Sequence, residues 1–174
     1  MDDLINKLIK VGSIKFGEFT LSSGKKSNVY IDIKLAATNP EILETIANAI
    51  VEKLRSVEFD KIACIELGGV PLAIAVSLKL KKPVLIFRKE KKVYGLGEDL
   101  IGDLKNGDRV VIIEDVVTTG KSAISIMERV RQKGGIIVGL VAVVDREESN
   151  LKFESLLKLS DLIKAKNFLN STKI

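Results

Sequence analysis

The sequence predicts a doubly wound α/β domain, a mostly parallel sheet flanked by helices. Three observations carry that expectation. Apolar runs of strand length alternate with amphipathic stretches of helix length from residue 42 onward. The strand runs are continuously apolar rather than alternating, as expected where helices cover both faces of a parallel sheet. The polar residues of chemical interest fall just beyond those runs, at the carboxyl ends of strands, where such sheets bind ligands. With 174 residues, 46% of them hydrophobic, the chain suits one domain, residues 1–174, rather than two.

MDDLINKLIK, at 1–10, mixes charged and apolar positions as a short amphipathic helix at about 2–10 and has no signal-peptide core. FGEFTLSSGKKS (16–27) is a Ser/Gly/Lys-rich turn that suits either a hairpin or the wall of a pocket, and VYIDI (29–33) reads as a strand. Asn39-Pro40-Glu41 then supplies an N-cap, a proline in the first turn and an early acid, with Ile42, Ile46, Ile50 and Leu54 following at helical spacing to about 57. Next come a strand at KIACIE (61–66), a helix at PLAIAVSLKL (71–80) and a strand at PVLIFR (83–88). RKEKKVYGLGEDLIG (88–102) has three glycines, a basic run and no sustained helical period. It suits a mobile loop whose Lys89, Lys91 and Lys92 close over a polyanion, although such charge runs are equally common as solvated loops. A strand at RVVIIED (109–115), a helix at SAISIMERVRQK (122–133) and a strand at IIVGLVAVVD (136–145) follow.

Composition narrows the chemistry. The chain contains no histidine, which removes Ser-His and Cys-His nucleophile pairs and imidazole metal sites, so any metal must be held by oxygen. The single cysteine, Cys64, lies in an apolar run and reads as a buried structural thiol. No apolar run reaches the ~20 residues that span a bilayer, and a cytoplasmic chain is expected. The net charge of +5 suits a phosphorylated small molecule, an anionic membrane or nucleic acid, and the sum alone does not choose among them.

EDVVTTGKS (114–122) is the most informative stretch. It ends like a phosphate-binding loop, but the glycine that pattern needs at 115 is Asp115. A turn at Thr118-Thr119-Gly120 followed by a helix presents free N–H groups and a positive dipole end to a phosphate monoester. Glu114 and Asp115 repel phosphate but accept hydrogen bonds from hydroxyls, so the loop asks for a phosphorylated, hydroxylated ring such as a ribose 5-phosphate. The plain alternative is a capped helix beside two solvated acids. ELGGVPLA (66–73) puts two glycines between strand and helix, which permits close approach of a ligand or serves only a tight turn.

These motifs resemble a known family. VVIIEDVVTTGKS resembles the signature of the type I phosphoribosyltransferases, and FGEFTLSSGKKS, ELGGVPLA, RKEKKVYG and VVDREE, in that order, are similar to the orotate phosphoribosyltransferases, with SLLKLSDLIK (155–164) similar to their C-terminal strand and helix. The resemblance implies the type I fold, with about residues 1–35 and the C-terminal segment forming a small base-binding hood. It implies that Glu114 and Asp115 contact the ribose hydroxyls and that Val116, Val117, Thr118, Thr119, Gly120, Lys121 and Ser122 wrap the 5-phosphate. Arg88, Lys89 and Lys92 would bind the diphosphate, Tyr30 and Ile31 would flank the orotate ring, and Arg146 would pair with the orotate carboxylate through its planar fork. Catalysis would rest on Lys92, Asp115 and Glu114.

The implied substrates are orotate and phosphoribosyl diphosphate. Mg²⁺ would be held mainly through substrate oxygens, with no direct protein ligand, and a homodimer would share the 88–101 loop across subunits. No nucleic acid or membrane partner is implied. The chain departs from the pattern of many bacterial members at Ser22, at Leu67-Gly68 and at Tyr94, which stands where they have a histidine. Two other readings compete: a purine phosphoribosyltransferase, and a non-catalytic regulator that senses phosphoribosyl diphosphate and binds nucleic acid.

Overall fold

The computed structural model describes residues 2–20, 24–89 and 99–171. Its chain order is α1 (Asp2–Lys10), β1 (Ile14–Thr20), β2 (Lys26–Ile31), α2 (Ile33–Ala37), α3 (Pro40–Lys53), β3 (Lys61–Ile65), α4 (Gly69–Leu80), β4 (Val84–Phe87), β5 (Leu100–Ile101), β6 (Arg109–Val117), α5 (Lys121–Gln132), β7 (Ile136–Asp145), β8 (Glu154–Lys158) and α6 (Leu159–Ser171).

Six strands form the main sheet in the order β5-β4-β3-β6-β7-β8. All neighbours are parallel except β5, which pairs antiparallel with β4 at one edge. The two faces carry separate apolar clusters. Ile62, Cys64, Val111, Ile113, Val141 and Val143 point toward α3 and α4, whereas Ala63, Val110, Ile112 and Leu140 meet Ala123, Ile126 and Val130 of α5. Both faces being covered explains the unbroken apolar strands. Strand order runs outward from β3 toward β5 and from β6 toward β8, so the order reverses between β3 and β6. The crevice beyond the carboxyl ends of those two strands is the expected ligand site.

Helix α3 begins as its sequence dictates: the Asn39 side chain accepts hydrogen bonds from Glu41 N and Ile42 N at 3.0 and 3.2 Å. It ends at Lys53, four residues short of the expected limit, because Leu54 closes the last turn and a further turn brings Val57 N to Leu54 O. The open choice for 16–27 resolves as a hairpin in which β1 pairs antiparallel with β2. The expected strand at 29–33 is displaced: β2 ends at Ile31 because the Asp32 carboxylate caps α2, accepting from Lys34 N and Leu35 N. Residues 100–101 of the expected loop at 88–102 form β5.

Cys64 is buried, as expected; burial first, and then the nearby Glu114 charge, push its thiol up to about 12. No helix among the described residues is long and apolar enough to cross a membrane.

Candidate active site

Strand β6 continues two residues beyond the expected end at Asp115, and that extension determines the site. Because side chains alternate along a strand, Glu114 and Asp115 leave the sheet on opposite faces instead of standing together at a rim. Glu114 points toward α5 and is only 2% exposed, with no hydrogen-bond partner on its Oε1. Burial, reinforced by the Asp115 charge, raises its carboxyl to about 8. Glu114 is therefore mostly neutral near pH 7 and adds little repulsion to an anion beside it. Asp115 faces α4 and α2, with its side chain 19% exposed and Lys34 Nζ 4.0 Å from its Oδ2.

Beyond Val117 the chain turns into α5. Gly120 sits at the helix N-cap with φ 82°, a left-handed conformation that glycine adopts without strain, and no side chain caps the helix. A Cβ at Gly120 would also lie 2.6 Å from Leu151 Cδ1 and 2.8 Å from Ser149 Oγ. A recess of about 110 Å³ opens there, lined by Glu114 and by Val116 through Ala123. The uncapped helix start aims backbone N–H groups and the positive dipole end at this recess, the chemistry of an anion site.

The crevice wall across from β6 comes from β3 and α4. Gly68 packs so closely against Asp115 that a Cβ there would collide with the carboxylate, and a Cβ at Gly69 would stand 2.9 Å from Ile113 O. Glu66 Oε1 accepts a hydrogen bond from Lys89 N at 3.0 Å, tying the segment after β4 to the end of β3. Arg88 is half-buried and Lys89 exposed.

At the end of β7, Arg146 N donates to Val117 O at 2.9 Å, so Arg146 starts beside the residue that opens the turn. Its side chain is nearly buried, at 6% exposed, and Nη2 donates to Ser27 Oγ at 2.9 Å. Nε has no hydrogen-bond partner and lies 3.6 Å from Glu148 Oε1. The Glu148 carboxylate balances part of this buried charge, and the guanidinium retains hydrogen-bonding capacity for a further planar acceptor. Tyr30 is 38% exposed, with its ring 5.5 Å from Phe19, whereas Ile31 packs against the core.

A phosphoribosyl transferase domain model matches residues 36–172 of the chain. An orotate phosphoribosyltransferase of Archaeoglobus fulgidus is 56% identical over 172 residues, covering 99% of this chain and 97% of the other. The chain belongs to the orotate phosphoribosyltransferase family. Among solved structures, the orotate phosphoribosyltransferase of Aeropyrum pernix superposes with a TM-score of 0.85 at 28% identity, covering 95% of this chain and 98% of that one. The Leishmania donovani UMP synthase gives the same TM-score at 32% identity, covering 97% of this chain, which spans only 38% of that chain.

The family assignment matches the resemblance read from EDVVTTGKS and its companion motifs. Of the expected site residues, the structure gathers Glu114 and 116–122 around one recess and puts Asp115 on the other side of β6. Arg146 joins the turn through Val117 and the hairpin through Ser27. Tyr30 and Ile31 point opposite ways, as consecutive strand residues do, and the partly buried Ile31 packs against the core. Lys91, Lys92, Tyr94 and Ser22 lie outside the described residues.

Sequence reasoning missed Lys34. It lies 3.2 Å from Asp32 and within reach of Asp115 and Tyr30; burial opposes its charge, but these neighbours win and hold its ammonium above the usual range. The only sequence signal was its position after a capping Asp. Ser27, the partner of Arg146, carried no signal. Among the described residues, no group of three or more acids, cysteines or histidines is placed to hold a metal ion.

Proposed function

We propose that the protein transfers the 5-phosphoribosyl group of phosphoribosyl diphosphate to orotate, forming orotidine 5′-phosphate and diphosphate for UMP synthesis. One observation carries the choice of base: a nearly buried Arg146 with an unused Nε donor, attached by its own backbone to the start of the 118–120 turn. A guanidinium fork in that position suits a planar carboxylate, which orotate has and the purine bases lack.

In this reading the turn and the first N–H groups of α5 hold the 5-phosphate, and the largely neutral Glu114 limits repulsion beside it. Asp115, 4.0 Å from Lys34, accepts from the ribose hydroxyls, and Arg88, Lys89 and Lys92 supply the positive charge for the diphosphate. The transition state is cationic at the ribose carbon, so the protein acts by positioning, by stabilising charge on the departing diphosphate and by excluding water. Orotate enters as a ring-nitrogen anion, and a strong base such as histidine is unnecessary. Mg²⁺, a hard cation that prefers oxygen ligands and keeps several waters, would be held mainly through substrate oxygens, with the Asp115 carboxylate a compatible neighbour at the crevice, and would neutralise charge on the diphosphate.

Two further parts belong to the same reading. The enzyme is a homodimer that shares the 88–101 segment, a reading supported by the exposed apolar row of Ile74 and Leu78 on α4 and by nearby exposed Leu67 and Leu35. It works in the cytoplasm, because substrates carrying several phosphate charges do not cross a bilayer unaided.

The test is Arg146→Ala, assayed at varied concentrations of each substrate. KM for orotate should rise at least tenfold, while KM for phosphoribosyl diphosphate stays within about threefold. An equal rise in both would remove Arg146 from base recognition.

A further inference from the structure

Arg129 lies in the last turns of α5, far along the helix from the anion recess. In the sequence, Arg129 is one of the charged positions of the helix expected at 122–133. In the structure its guanidinium turns inward and uses every side of its fork. Nε donates to Asp99 Oδ2 at 2.8 Å, Nη2 to Asp99 O at 2.7 Å and Nη1 to Arg88 O at 2.9 Å. The guanidinium carbon also stands 4.7 Å from the centre of the Phe87 ring, and the side chain is 13% exposed.

Arg88 N donates to Asp99 O at 2.9 Å, so Arg88 and Asp99 are joined to each other and to one cation. Lys133 adds a second contact to Asp99 at 3.6 Å. Burial opposes the Asp99 charge, but Arg129, together with Lys133 and a backbone hydrogen bond, more than offsets it and holds the carboxyl below its usual range.

Helix α5 therefore touches the site at two places. Its start, Lys121–Ala123, lines the recess, and eight residues later Arg129 grips Arg88 and Asp99. At 1.5 Å per residue, those points are about 12 Å apart along a rigid rod. Lys89 follows directly and is braced from the other side by Glu66.

We propose that Arg129 is a positioning residue for the diphosphate half of the substrate: from the helix whose start lines the 5-phosphate recess, it fixes Arg88 and Asp99 and so sets where Arg88 and Lys89 stand. This rests on the proposed placement of phosphoribosyl diphosphate. A lysine at 129 keeps the charge but has a single head, and cannot span three acceptors in a plane.

The experiment measures binding of two probes by calorimetry, diphosphate with Mg²⁺ and ribose 5-phosphate, to the wild type and to Arg129→Lys and Asp99→Asn. The inference predicts about tenfold weaker diphosphate binding in both variants, with ribose 5-phosphate affinity within about twofold and KM for phosphoribosyl diphosphate rising more than KM for orotate. Equal weakening of both probes, or no change in either, would overturn it and leave Arg129 a purely structural clasp. Wild-type protein that binds neither probe would instead refute the substrate placement on which the inference rests.

Discussion

Replacing Gly68 with alanine separates catalysis from stability. Gly68 has φ −60° and ψ −41°, a conformation alanine adopts readily, so the backbone does not resist the change. What resists is Asp115. A Cβ at 68 would stand 2.7 Å from Asp115 Oδ1 and still closer to Oδ2, against the 3.4 Å at which ordinary contact begins. Oδ1 must retreat by at least the difference, about 0.7 Å, and the whole carboxylate by roughly 1 Å. An off-rotamer shift of that kind costs about 1 kcal/mol, and the lower conformational entropy of the unfolded chain with alanine offsets part of it. Stability should change by no more than about 1 kcal/mol, or roughly 2–4 °C in Tm. Misplacing a substrate-positioning group by about 1 Å costs on the order of a hundredfold in rate. Initial rates of orotate loss and a thermal melt on the same preparation give both numbers. Gly69→Ala is the contrasting control, because its Cβ would meet Ile113 O at 2.9 Å and Cys64 Cβ at 3.0 Å, neither of which can swing aside. It should lower Tm by more than Gly68→Ala does. Gly68→Ala activity within twofold of wild type would refute the role given to the Asp115 position.

Arg146→Ala should raise KM for orotate selectively, as set out above. Glu114 makes a pH prediction: its carboxyl goes from an ordinary 4.5 to about 8 on folding, so the folded state binds the extra proton between those values. The Glu114 contribution to stability is then fullest below about pH 4.5 and declines as pH rises toward 8, by a few kcal/mol at most. Melts from pH 5 to 8.5 should show that decline in the wild type and a flatter profile in Glu114→Gln; parallel profiles would count against it. Mixing Lys92→Ala with Asp115→Asn protein under subunit exchange should restore about a quarter of wild-type turnover, because a shared segment leaves one intact site in each hybrid dimer. No recovery after proven exchange would place the segment on its own subunit.

Much of the fold was legible because burial imposes simple patterns. Continuous apolar runs gave β3, β4, β6 and β7, and Asn39-Pro40-Glu41 marked the start of α3 by local capping chemistry. Elements whose stability comes from partners left weaker traces. Strand β2 opens with the polar residues Lys26-Ser27-Asn28 and exists by pairing with β1, while β5 is two residues held against β4. The acid pair is legible from its loop, but its division across the sheet is obscured when the strand is read as ending at Asp115 and the two acids as standing together on the rim. Val116-Val117, just beyond the acids, was the available sign that it continued. Arg129 and Ser27 act through residues 30 or more positions away, and no local pattern records such contacts.

The central claim is that the recess at 116–123 receives a ribose 5-phosphate while Arg146 selects a carboxylated pyrimidine. It is tested most directly by following base consumption on adding phosphoribosyl diphosphate and Mg²⁺ to orotate, uracil, adenine and hypoxanthine in parallel. Orotate should turn over, and the other three should show no turnover above background. Turnover of a purine base in place of orotate would contradict the claim.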